Sequence, residues 1–260
     1  MPLLPYSDRM QWPQWPYTLT LESNGVRLYY FGEAHSFDPK IPQWDTLRGY
    51  WKDYLGNTEK GQRIVFVEGG THELPSGQSE SAAILSDGGA GLGQWLAKEE
   101  GILVRSPEPN KAYERSELEK DFSRDEIQYY YFARVVLQWI RTMEPRMPFD
   151  QYIQAFLNAD KKYSGWDDYD FSLEHMKLLH EQFTGRTFDP TEKQVFYDQS
   201  NPANSSTVGG RVSRGSSQVR DTFIVSEIVS QIKNGVSVFA IYGGSHVVIQ
   251  EPLLREFFEK

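Results

Sequence analysis

The sequence has no cysteine, which removes disulfides, thiolate metal sites and cysteine nucleophiles together. It is also poor in positive charge: 27 Lys and Arg stand against 36 Asp and Glu, for a formal net charge of −9. Phosphate recognition needs clustered cations, so a nucleic-acid partner is not expected. An acidic chain of this kind suits a cation, or a small-molecule or peptide substrate. Long apolar runs are missing too: no stretch reaches the roughly 20 apolar residues that a membrane-spanning helix requires. The N-terminal MPLLPYSDRMQWPQWPY lacks both the basic and the apolar regions of a signal peptide. The expectation is a cytoplasmic protein without a membrane partner; oligomeric state is not legible.

What is present is enough apolar and aromatic sequence, 39% and 14% of 260 residues, for a core larger than a minimal domain's. Residues 18–22 and 26–31 flank Asn24-Gly25, a pair that tolerates the positive φ of a two-residue hairpin turn. RIVFV (63–67), ILVRS (102–106) and VSVFAIY (236–242) read as buried strands, the last apolar on both faces. Residues 44–55 read as a helix. GGAGLG (88–93) precedes a short helix closed by Gly101. A helical pattern runs from Ser116 to Met143, with a Ser123/Glu126 capping box and Pro145 as its stop. Further helices are expected at 149–159, 172–183 and 219–233, and a short one from Pro252. The Ser/Asn/Gly-rich segment at 198–218 reads as a mobile polar loop. Strands alternating with helices predict one α/β domain: a mainly parallel central sheet, an N-terminal hairpin and a helical insertion at about 110–185.

In open α/β sheets, ligands collect beyond the carboxyl ends of the strands. Glu33 and His35 follow one strand, Glu68 a second and His246 a third, each beside glycines that permit tight turns. His35, Glu68 and His246 are a sufficient donor set for a zinc or manganese ion with one position left for water. The same groups can work without metal, one histidine acting as general base. Arg220-Asp221, near the start of an amphipathic helix, would place a guanidinium for an oxyanion or substrate carboxylate. Glu108 is a further carboxylate at a strand end.

FGEAHSFDP, VFVEGG, VRDTFIVSEI and FAIYGGSHV, in this order, resemble the TraB/Tiki, erythromycin-esterase and ChaN-like superfamily, marked by paired Gly-x-x-His motifs. The resemblance implies that His35 and His246 are the motif histidines, Glu68 the intervening acid, Arg220 the arginine and Glu33 the glutamate of the esterase branch. Tiki-like members are metal-dependent proteases, the esterases open a lactone, and ChaN-like members bind haem. A hydrolase of an ester, lactone or peptide bond is therefore the leading expectation, with His35, Glu68 and His246 as metal ligands. Glu33 would serve as base or orienting acid, and Arg220 would face the anionic transition state. A metal-independent esterase is the second choice, and noncovalent haem or small-ligand binding the alternative of another class.

Each residue also has a structural explanation. The histidines can hydrogen-bond a turn, Glu68 can cap one, and Arg220 with Asp221 can be a helix-start ion pair. His72 reads as a solvated loop residue. His175 and His180 lie five apart, so LEHMKLLHE does not put two histidines on one helix face.

Overall fold

A computed structural model describes residues 3–6, 12–142 and 147–259. The chain divides into two compact units. Of the described residues, 3–4, 12–108 and 221–259 form a sheet unit, and 5–6, 109–142 and 147–220 form a helical unit.

The sheet unit is built on five strands: β1 (Tyr17–Ser23), β2 (Val26–Glu33), β3 (Arg63–Val67), β4 (Leu103–Arg105) and β5 (Ser237–Gly243). Their order is β1-β2-β5-β3-β4, with β1-β2 antiparallel and every other pairing parallel. The expected α/β architecture with its N-terminal hairpin is what the chain adopts. At the hairpin, Asn24 and Gly25 take φ of 52° and 79°, as the short turn demands. Central β5 is buried along its whole length because helices cover both faces. On one face Tyr30, Phe66, Ala240 and Tyr242 pack with Ile224 and Ile228; on the other Phe31, Val65, Phe239 and Ile241 pack with Trp44, Trp51 and Leu92. Strand periodicity sends alternate residues to opposite faces, so these unbroken apolar runs serve two cores.

Four helices belong wholly or partly to this unit: α1 (Gln43–Asn57), α2 (Glu80–Glu100), the C-terminal part of α8 (Val208–Lys233) and α9 (Gly244–Phe258). Gly101 at φ 65° closes α2 as expected, but helix already begins at Glu80, and GGAGLG starts at a kink where Asp87 and Gly88 leave helical geometry. Gly88 supplies the positive φ of that kink, and Gly89 and Gly93 serve close packing. A Cβ on Gly89 would strike the Glu33 carboxylate, and one on Gly93 would strike Ile241. β4 is an exposed edge, Leu103 being 63% accessible, and not the buried strand that its composition predicts. Pro252 sits within α9, whose first turn directly follows β5.

The helical unit holds α3 (Lys111–Leu118), α4 (Arg124–Arg141), α5 (Phe149–Ser164), α6 (Leu173–Thr184), α7 (Lys193–Ser200) and α8 as far as Arg220. The Ser123/Glu126 capping box is present, while Pro145 lies outside the described residues. The polar segment predicted as a mobile loop at 198–218 ends α7, turns, and enters α8 at Val208. Its small residues are packing devices: Val212, Ser213 and Ser216 are buried, and a Cβ on Gly215 would lie 2.9 Å from the Phe122 ring. The helical region therefore extends well past residue 185. Its interior also encloses an ion pair: Arg115 bonds Asp160 at 2.7 Å, Gln128 braces the same carboxylate, and the Tyr131 and Trp166 rings flank the guanidinium.

Candidate active site

Parallel pairing puts the ends of three strands on one rim. Glu33 of β2 is level with Gly243 of β5, and Val67 of β3 with Ile241 of β5. The residues that follow, His35, Glu68 and His246, therefore emerge side by side although 178 positions separate Glu68 from His246 in sequence. They form a continuous polar chain. Glu33 Oε1 accepts from His35 Nδ1 at 2.9 Å, and His35 Nε2 lies 3.9 Å from Glu68 Oε2. The other Glu68 oxygen faces His246 Nε2 at 3.4 Å. His246 Nδ1 donates to Asp221 Oδ1 at 2.6 Å, and the Gln250 amide donates to the same oxygen at 2.7 Å. Glu68 stands between two imidazoles, each anchored from behind by its own carboxylate.

Local backbone makes this possible. Glu68 Oε2 accepts from the Gly243 N–H at 2.7 Å, which ties the end of β3 to the end of β5. A Cβ on Gly243 would come within 2.6 Å of His35 Nε2, so glycine there leaves room for the imidazole. Gln43, at the start of α1, clasps both the N–H and the carbonyl of Ala34 and fixes the turn that carries His35. Beyond Glu68, Gly69 N–H donates to Glu108 and Gly70 N–H to Ser106, so the strand-end carboxylate Glu108 braces the loop.

The two histidines differ in environment. His35 has 64% of its side-chain surface open, whereas His246 is buried against Asp221, which is fully inaccessible. The Glu33 hydrogen bond raises the His35 pKa above its ordinary 6.5, with the charge of Glu68 adding to it against partial burial and the His246 charge. Burial alone would push His246 down. The charge and hydrogen bond of Asp221, then those of Glu68, outweigh it and carry the group up to about 10. Glu68 is the mirror case: burial favours its neutral form, but His246, the Gly243 N–H and His35 together hold it well below the usual carboxylate range. At neutral pH, Glu68 is thus a carboxylate beside a charged His246, while His35 stands within reach of solvent.

All five sheet-unit candidates, Glu33, His35, Glu68, Asp221 and His246, meet in this chain of contacts. Arg220 belongs to the helical unit, where its charge acts on Arg134. The residue of the Arg220-Asp221 pair that reaches the histidine is the aspartate. Gln250 and Tyr30 are additional members. Gln250 falls one helical turn after His246, an i,i+4 spacing that the sequence displays; Tyr30, in the middle of an apolar strand, carries no such signal. The remaining histidines stand elsewhere: His72 faces Asp87 at 3.8 Å, His175 faces Asp125, and His180 is buried against Tyr129.

The expected metal ligands can be compared with this geometry. Both Nδ1 atoms rest on carboxylates, which is how metal-bound imidazoles are commonly oriented. Yet both Nε2 atoms point at the Glu68 carboxylate. Among the described residues no group of three or more His, Asp or Glu side chains is disposed to share one ion. The donor set as arranged does not fit a bound zinc or manganese. Among the described residues no helix is long and apolar enough to cross a membrane. No protein-family model, curated protein or solved structure matches the chain.

Proposed function

We propose that the protein is a hydrolase of carboxylic esters or lactones that uses His35 as general base without a metal ion. One observation carries the reading: an accessible imidazole, locked by Glu33 at Nδ1, presents Nε2 beside a carboxylate that a buried imidazolium holds ionised. Because Nδ1 carries the proton donated to Glu33, the Nε2 lone pair of neutral His35 is the basic site. It takes a proton from water as the water oxygen attacks the substrate carbonyl carbon. Glu68 stabilises the His35 imidazolium so formed. The tetrahedral intermediate then collapses: the bond to the leaving oxygen breaks, and His35 returns its proton to the departing alkoxide. The positive end of α9, which starts at the same rim, favours the oxyanion of the intermediate.

His246 does not serve as a second base, because it stays protonated. It balances the charge of Glu68 and keeps that side chain in place. The paired Gly-x-x-His resemblance supports the esterase reading in particular, since Glu33 occupies the position of the esterase-branch glutamate. The test is a panel of simple aryl esters and lactones assayed with and without excess chelator. Hydrolysis should persist with chelator and fall by about 10²–10⁴-fold in His35→Ala. Chelator-sensitive turnover restored by zinc or manganese would return the reaction to a metal, and full activity in His35→Ala would remove the proposal.

A further inference from the structure

The polar chain does not stop at Asp221. Gln250 is fully buried on α9, and its carbonyl oxygen accepts from the Tyr30 hydroxyl at 2.9 Å while its amide nitrogen donates to Asp221 Oδ1 at 2.7 Å. Tyr30 is itself fully buried on β2, so the relay reaches from the sheet interior to the rim. The arrangement has a definite sense. An ionised carboxylate only accepts, so Asp221 fixes which end of the amide is NH₂, and the amide oxygen is left to accept from the Tyr30 hydroxyl. Asp221 Oδ1 thereby receives two charge-assisted hydrogen bonds, from Gln250 and from His246 Nδ1.

We infer that Gln250, braced by Tyr30, is a positioning residue that holds Asp221 against His246 and so fixes the imidazole ring that faces Glu68 beside the base. The chemistry is asymmetric along the chain. A buried carboxylate oxygen that receives two donors is held in place more firmly than one that receives a single donor. Turning of Asp221 would draw the His246 ring with it, since the 2.6 Å contact is the strongest that the ring makes. The ring in turn faces Glu68, which faces His35. Gln250 touches no substrate in this scheme and acts only through Asp221. The inference deepens the hydrolase reading and rests on it for its catalytic consequence, but its structural core is independent of any activity.

The experiment uses the full chain with Gln250→Met, close in volume but without the amide, and Tyr30→Phe, which removes only the hydroxyl. Proton NMR reads the exchange-protected His246 Nδ1–H, a far-downfield resonance that His246→Gln identifies by its loss. Gln250→Met should shift or broaden that resonance, and Tyr30→Phe should move it less in the same direction. With an ester substrate, Gln250→Met should lower kcat by about tenfold or more and leave KM near the native value. An unmoved resonance in both variants overturns the inference. If Gln250→Met fails to fold, Tyr30→Phe decides alone by the same resonance. Absence of esterase activity in the native protein would instead count against the hydrolase reading, while the resonance still answers for Gln250.

Discussion

At the scale of single residues, the informative contrast is between two histidines in matching sequence contexts. Both follow an apolar strand in a Gly-x-x-His motif, but His35 stands in a loop and is accessible, whereas His246 sits in the first turn of α9 and is buried. The elevated pKa of His35 means that the base form accumulates only above the ordinary 6.5. Turnover should therefore rise with pH through the His35 titration and be lost as the pH falls below it. His246 must keep its proton to hold Glu68, so turnover should decline again as pH approaches about 10. A kcat/KM profile checks both limbs. Asp221→Asn should move the alkaline limb to lower pH, because the strongest support of the imidazolium charge is gone. An alkaline limb that stays in place in Asp221→Asn would separate His246 from the reaction.

At the scale of elements, the site depends on close approaches between backbones and side chains. α2 crosses the sheet where Gly89 lies against the Glu33 carboxylate, and β5 ends where Gly243 lies against His35. A methyl group at either position has nowhere to go without moving an active group. Gly89→Ala should displace Glu33, free the His35 ring and reduce kcat by about tenfold or more, whereas Gly49→Ala, on α1 with open space around it, should leave kcat unchanged. Equal behaviour of the two variants in the ester assay would show that the Glu33 contact is dispensable. The same logic explains why GGAGLG beyond its kink at Gly88, and the serine- and glycine-rich stretch before Arg220, are helical. Helix propensity and turn chemistry argue for loops at both places, but tertiary packing rewards a helix with no bulk on one side.

At the scale of the whole molecule, the chain invests in two cores of different character. The sheet unit is sealed by apolar side chains on both faces, while the helical unit buries the Arg115–Asp160 pair between two aromatic rings. Removing one partner strands a charge that has no water to receive it. Arg115→Ala should cost about 3–5 kcal/mol of stability, read from a denaturant melt, whereas Arg115→Met with Asp160→Leu should recover most of it. A melt in which the single and double replacements are equally costly would mean that the arginine contributes through packing alone.

Much was determined by the sequence itself, because the physics involved is local or periodic. The Asn24-Gly25 turn, the Ser123/Glu126 box, the Gly101 cap and the apolar runs of β2, β3 and β5 each follow from a few neighbouring residues. The strand-end positions of His35, Glu68 and His246 follow from those runs. Only the tertiary structure decided which groups act on one another. Strand order makes β5 the neighbour of both β2 and β3, and that order is a property of the packed sheet. The Asp221 and Glu68 carboxylates hold the charge of His246 against its burial, and Gln250 and Tyr30 extend the chain behind Asp221. These outcomes depend on distances across the fold and on the exclusion of water, which no stretch of chain expresses alone.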